Sequence, residues 1–104
     1  MERTSPRLVI HLADGSEHVV DLREGRMKVG RAPDAGLRLP LPEISGHHAE
    51  LHWDGTQLSM RDLASTNGTL VNGCRIIGQV VVRVGDRVAF GHTVFRIERQ
   101  VKMS

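Results

Sequence analysis

Among 104 residues the chain has one cysteine, three aromatic residues and no tyrosine. Each shortage closes a class of explanation. The single thiol, Cys74, cannot form an internal disulfide, which excludes a bridge-stapled secreted scaffold and fits a reducing, cytoplasmic setting. Trp53, Phe90 and Phe95 are too few for an aromatic platform that stacks single-stranded nucleic acid. No apolar run approaches the ~18 residues that span a bilayer, and the opening MERTSPRLVI lacks a long apolar signal core, so no membrane partner is expected. Also missing is any window of helical length with an apolar stripe at 3.6-residue spacing.

What remains is enough for one folded domain and its single core. Hydrophobic residues at 39% and charged residues at 25% are ordinary for a globular protein and exclude dominant disorder. The net charge is +2, and the basic residues, nearly all arginine, are scattered from Arg3 to Lys102 without a run. That pattern does not support nucleic-acid binding, although the planar fork of arginine suits individual phosphates. With so few aromatics the core must be Val, Leu and Ile, which favour strands.

Turn signals recur at hairpin spacing. Asp14-Gly15 separates Arg7–Leu12 from Glu17–Leu22, and Asp54-Gly55 separates Ala49–Trp53 from Gln57–Asp62. Asn72-Gly73 separates 69–71 from 74–76, and Gly91-His92 separates Arg87–Phe90 from Thr93–Arg99. Alternation places Ala49, Leu51 and Trp53 on one face, likewise Leu58 with Met60, and Val80 with Val82 and Val84. Many short strands with turns every ~8 to 12 residues predict an all-β, antiparallel β-sandwich with binding loops at one end. Residues 1–6 read as a polar N-terminal arm, 7–100 as the domain and 101–104 as a tail.

Two segments break the rhythm: residues 30–47, with three prolines, three glycines and a brief strand at Leu37–Leu39, and the loop at residues 65–68. Long connections on a tight scaffold are where binding residues concentrate. The second loop holds Asn67-Gly68, five residues before Asn72-Gly73. The later pair needs only a turn. The earlier one follows Ser65-Thr66, and its crowd of hydrogen-bonding groups suggests a further task.

Gly30-Arg31, then Ser45-Gly46-His47-His48, then Ser65-Thr66-Asn67-Gly68-Thr69, in this order and spacing, resemble a forkhead-associated (FHA) domain. The resemblance runs from Met27 to Asn72 by motif and continues weakly through Gly85-Asp86 and Gly91. It implies a β-sandwich that binds phosphothreonine peptides, with no catalysis, cofactor or metal. The partners implied are a Ser/Thr-phosphorylated protein and the upstream Ser/Thr kinase.

Chemistry supports the same ligand. A phosphothreonine brings nearly two negative charges and three acceptor oxygens, so it needs a multi-donor cation with neutral donors around it. Arg31 supplies the fork. Ser45 offers a hydroxyl, and with Gly46 it offers backbone N–H groups that a missing Cβ lets a phosphate approach. The resemblance implies that Thr66 donates its hydroxyl to the phosphate and Asn67 holds the peptide backbone extended. Gly30 and Gly68 support these loops, and His48 braces the Ser45 loop rather than touching phosphate. Two enzyme-like readings fail on geometry. On a strand His48 and His52 lie ~13 Å apart, too far to share one ion with Glu50, and a Ser45/His48/Asp62 hydrolase lacks both an oxyanion-hole helix and a substrate cleft.

Where family members often carry arginine after the motif serine, this chain has Gly46-His47. His47 carries charge only when protonated, so binding is expected to strengthen as pH falls toward ~6.5, until phosphate gains a proton near ~6. Glu43, on the same loop, is expected to repel acidic residues of the peptide. A phosphate-independent interaction scaffold on the same fold is the alternative function, and dependence on Arg31 separates the two.

Overall fold

The computed structural model describes residues 2–12 and 14–103; the side chains of residues 2–5 and 99–103 lie outside that description. Among the described residues there is no helix. Eleven strands form two sheets: β1 Glu2–His11, β2 Glu17–Asp21, β3 Gly25–Gly30, β4 Leu37–Arg38, β5 Ala49–Trp53, β6 Leu58–Asp62, β7 Leu70–Val71, β8 Cys74–Arg75, β9 Gln79–Val82, β10 Arg87–Phe90 and β11 Thr93–Met103. One sheet runs β2-β1-β11-β10-β7-β8, the other β4-β3-β5-β6-β9. Every pairing is antiparallel except β3 with β4, which run parallel with Val29 opposite Leu37. The sandwich expected from the sequence is therefore present, with one parallel edge.

The hairpin turns follow from their residues. Asn72 and Gly73 both take positive φ, 52° and 84°, the requirement of a two-residue turn matched to strand twist. At Asn67-Gly68 only Gly68 does, with φ 80°, so that pair is not a hairpin turn of this kind. Asn72 does more than turn the chain. Its Nδ2 donates to Asp86 Oδ1 at 3.0 Å and its Oδ1 accepts from Arg87 N at 3.0 Å, which fastens the β7–β8 hairpin to the start of β10.

The core lies between the sheets, with Leu8, Ile10, Val88, Phe90, Phe95 and Ile97 from one facing Val29, Ala49, Leu51, Leu58, Met60 and Val82 from the other. Phe90 and Phe95 meet edge to face at 4.7 Å. Three expectations need correction. Val84 lies beyond β9 and is 52% exposed, so it does not share a buried face with Val82. Gly25–Gly30, which the sequence reading left without a strand, is β3 and pairs with β5 from Gly25 opposite Trp53 to Val29 opposite Ala49. Residues 2–6, read as an arm, continue β1, and residues 101–103, read as a tail, continue β11, pairing from Glu2 opposite Met103. Ser104 lies outside the described residues. None of the described residues forms a helix long and apolar enough to cross a membrane.

Candidate phosphopeptide site

Three connections gather at one end of the sandwich: β3 to β4, β4 to β5, and β6 to β7. The first two are laced along the end of β3. Arg31 N donates to Ser45 O at 2.9 Å, Ala32 N to Gly46 O at 3.0 Å, and His48 N to Val29 O at 2.8 Å. These bonds continue the β3–β5 ladder past the strand ends and lay the Ser45 loop flat against Gly30-Arg31. The contact is so close that a Cβ on Gly30 would stand 2.0 Å from Gly46 O and 3.0 Å from His47 Cα. Glycine is obligatory there because another backbone occupies the space. At Gly46, by contrast, a Cβ would meet only Ala32 Cβ at 3.8 Å.

His48 joins this pair of loops to the third. It is fully buried, stacks on Phe90 at 4.2 Å, accepts from Ser45 N at its Nδ1 at 3.1 Å, and donates from Nε2 to Gly68 O at 2.8 Å. An N–H on one side and a carbonyl on the other fix the tautomer. Both ring nitrogens are thus committed away from the Ser45 hydroxyl, so the Ser45/His48/Asp62 arrangement is not a catalytic relay. His48 is also too enclosed to share an ion with His52, and no cluster of three or more metal-ligating side chains occurs among the described residues.

The Ser45 hydroxyl accepts from Thr66 N at 2.9 Å, which leaves its own proton available for an incoming acceptor. The Thr66 hydroxyl and the Arg31 guanidinium are exposed and have no hydrogen-bond partner among the described residues. Four other arginines, Arg7, Arg26, Arg61 and Arg96, are paired with carboxylates. A second guanidinium, Arg38, donates through Nε to Arg31 O at 3.3 Å and so adds positive charge against the same loop.

Asn67 Nδ2 donates to Glu43 O at 2.8 Å, leaving its carbonyl oxygen and one N–H for a ligand. The Glu43 side chain is turned away: its Oε1 accepts from the buried Thr93 hydroxyl at 3.0 Å, and its Cγ lies 2.6 Å from where a Cβ on Gly91 would stand. Glu43 therefore ties the loop to the β10–β11 turn. His47 is turned aside as well, with Nε2 2.9 Å from Asp34 Oδ1, and this bond holds the exposed Asp34 carboxyl below its ordinary pKa.

Asp62 builds the third loop, a role the sequence reading did not assign. Its Oδ1 accepts from the Ser65 and Thr69 hydroxyls at 2.5 and 2.7 Å and its Oδ2 from Ser65 N at 3.1 Å. Partial burial pushes its pKa up, but these hydrogen bonds together outweigh that and hold it below the ordinary carboxylate value. The signal was local: Asp followed three residues later by Ser is a spacing that closes a turn. A groove of about 490 Å³ between Pro6, Trp53, Leu58, Val82 and Ile97 is lined by none of these site residues.

Residues 27–91, which hold every residue described at this end of the sandwich except Thr93, match the FHA domain family. FhaA of Mycobacterium tuberculosis is 40% identical over 86 residues, covering 83% of this chain but 16% of FhaA. The solved FHA domain of FhaA, complexed with the intracellular domain of Rv3910, is 37% identical with a TM-score of 0.78, covering 88% of this chain and 99% of that one. The yeast Dun1 FHA domain, solved with a doubly phosphorylated peptide from Rad53, is 28% identical with a TM-score of 0.78 over 98% of this chain and 79% of that one. The chain spans only a small part of FhaA itself. In sequence and in fold, the chain belongs to the forkhead-associated (FHA) domain family.

Proposed function

We propose that the chain binds phosphothreonine in an extended segment of a partner protein and performs no catalysis, recruiting that partner after a Ser/Thr kinase has acted. One observation carries this reading: the exposed Arg31 guanidinium, unpaired among the described residues, stands on a loop that two backbone hydrogen bonds fix against Ser45-Gly46. Arg31 takes the phosphate as a fork, and the Ser45 and Thr66 hydroxyls and nearby backbone N–H groups complete its shell. Asn67, anchored on Glu43 O, presents its free amide groups to the peptide backbone. The backbone bonds that already link the Arg31 and Ser45 loops lower the ordering cost of binding. The complexes of the FhaA and Dun1 domains support the reading. A kinase-dependent partner and a free Cys74 thiol both suit the cytoplasm.

The test is fluorescence anisotropy with a degenerate phosphothreonine peptide pool and its unphosphorylated twin, for the native chain and Arg31→Ala. Micromolar, phosphate-dependent binding is expected, about −7 to −8 kcal/mol, with at least ~2 kcal/mol lost in the variant. Equal binding of both pools, or indifference to Arg31, would instead favour the phosphate-independent scaffold.

A further inference from the structure

The β7–β8 hairpin pairs Leu70 with Arg75, one position beyond the Thr66–Thr69 loop. From there the exposed Arg75 side chain reaches back over that loop. A Cβ built on Gly68 would lie 3.0 Å from its Nε, 3.1 Å from Cζ and 3.3 Å from Nη2. Near-equal distances to three atoms of one plane mean that the guanidinium meets Gly68 with its face. Its N–H donors lie in that plane and point outward. Arg75 has no carboxylate or carbonyl partner among the described residues, unlike the four paired arginines.

The location is informative. Gly68 follows Asn67, the residue whose amide faces the peptide backbone, so Arg75 stands beside the path of the ligand rather than at the Arg31 phosphate position. The acids close by are already engaged: Glu43 with Thr93, Asp62 with Ser65 and Thr69. Both carboxylates keep their charge, but neither pairs with Arg75, whose donors stay free for a ligand group. We propose that Arg75 is a specificity-determining residue, which reads an acidic side chain flanking the phosphothreonine. The proposal rests on the phosphothreonine reading above, and it runs opposite to the expectation that Glu43 makes the loop repel acids.

The experiment uses phosphothreonine decapeptide pools in which one flanking position at a time is fixed as Asp or as Ala. Affinities are measured by anisotropy for the native chain, Arg75→Ala, Arg75→Lys and Arg31→Ala. At one position the native chain should bind the Asp pool five- to tenfold tighter than the Ala pool. That ratio should fall to about one in Arg75→Ala and keep an intermediate value in Arg75→Lys, which supplies a point charge without the fork. A native chain that prefers Asp nowhere, or a preference that survives in Arg75→Ala, overturns the role of Arg75 and leaves the phosphate reading standing. Loss of phosphate dependence in every pool, or indifference to Arg31, overturns both.

Discussion

Gly30→Ala tests the frame of the site without touching any ligand-facing group. The new methyl would enter 2.0 Å from Gly46 O and 2.7 Å from Gly46 C, and both are backbone atoms with no rotamer to yield. The Ser45–His47 segment would have to retreat by about 1.4 Å to regain ordinary contact. A shift of that size breaks the bonds from Arg31 N to Ser45 O and from Ala32 N to Gly46 O. Two such bonds are worth ~1 kcal/mol each, and the overpacking costs a further ~1–3 kcal/mol. The lower entropy of the unfolded alanine chain returns only ~0.4–1 kcal/mol. The net loss is ~2–4 kcal/mol, which for a domain of this size lowers Tm by at least ~10 °C. Circular dichroism melts measure it. Affinity for the phosphothreonine pool should fall at least tenfold at temperatures where the variant remains folded, because Ser45 no longer stands against Arg31. Gly46→Ala is the control: its methyl meets only Ala32 Cβ at 3.8 Å, so its Tm should move by less than ~3 °C. A Gly30→Ala protein as stable and as tight-binding as the native chain would refute the argument that backbone proximity demands this glycine.

Asp62 gives the loop a pH dependence of definite sign. Its pKa is lowered in the fold, so its stabilisation is complete above the ordinary unfolded value near ~3.9 and is lost as pH falls through the lowered one. The Tm gap between the native chain and Asp62→Asn should therefore be widest near pH 6 and close toward pH 2.5; a constant gap would contradict the assignment. Asp14, Asp34 and Asp54 are lowered too but contribute equally to both proteins.

What the sequence disclosed and what it hid divide along physical lines. Hairpins were legible because Asn72-Gly73 and Asp54-Gly55 report a local backbone requirement. Arg31, Ser45, Thr66 and Asn67 were singled out as a group by their resemblance to the forkhead-associated motif in order and spacing, and the structure brings the connections that carry them together at one end. β3 was hidden because Gly25 and Gly30 bound it like turn residues, although Arg26, Met27, Lys28 and Val29 alternate as a strand should. The start of β1 was hidden because Pro6 and its polar neighbours look like an arm. Pro6 is tolerated where the pairing with β2 ends, its carbonyl still accepting from Leu22 N at 3.2 Å.

Less legible was where a side chain turns once the loops have met. Glu43 and His47 were assigned toward the ligand because they share its loop. A buried hydroxyl fifty residues away draws Glu43 off, and Asp34, thirteen residues away, draws off His47. Gly30 gains its requirement in the same way: both it and Gly46 are flexible in sequence, but only Gly30 has another backbone at van der Waals range. Arg75 entered from a strand that carried no motif signal, through a contact on Gly68. Local chemistry thus identified the groups that can hold a phosphate, whereas the surroundings that select among phosphopeptides were set by contacts between residues distant in the chain. Loop composition alone displays the charge of Glu43 but neither its engagement by Thr93 nor the Arg75 guanidinium that β8 brings to Gly68.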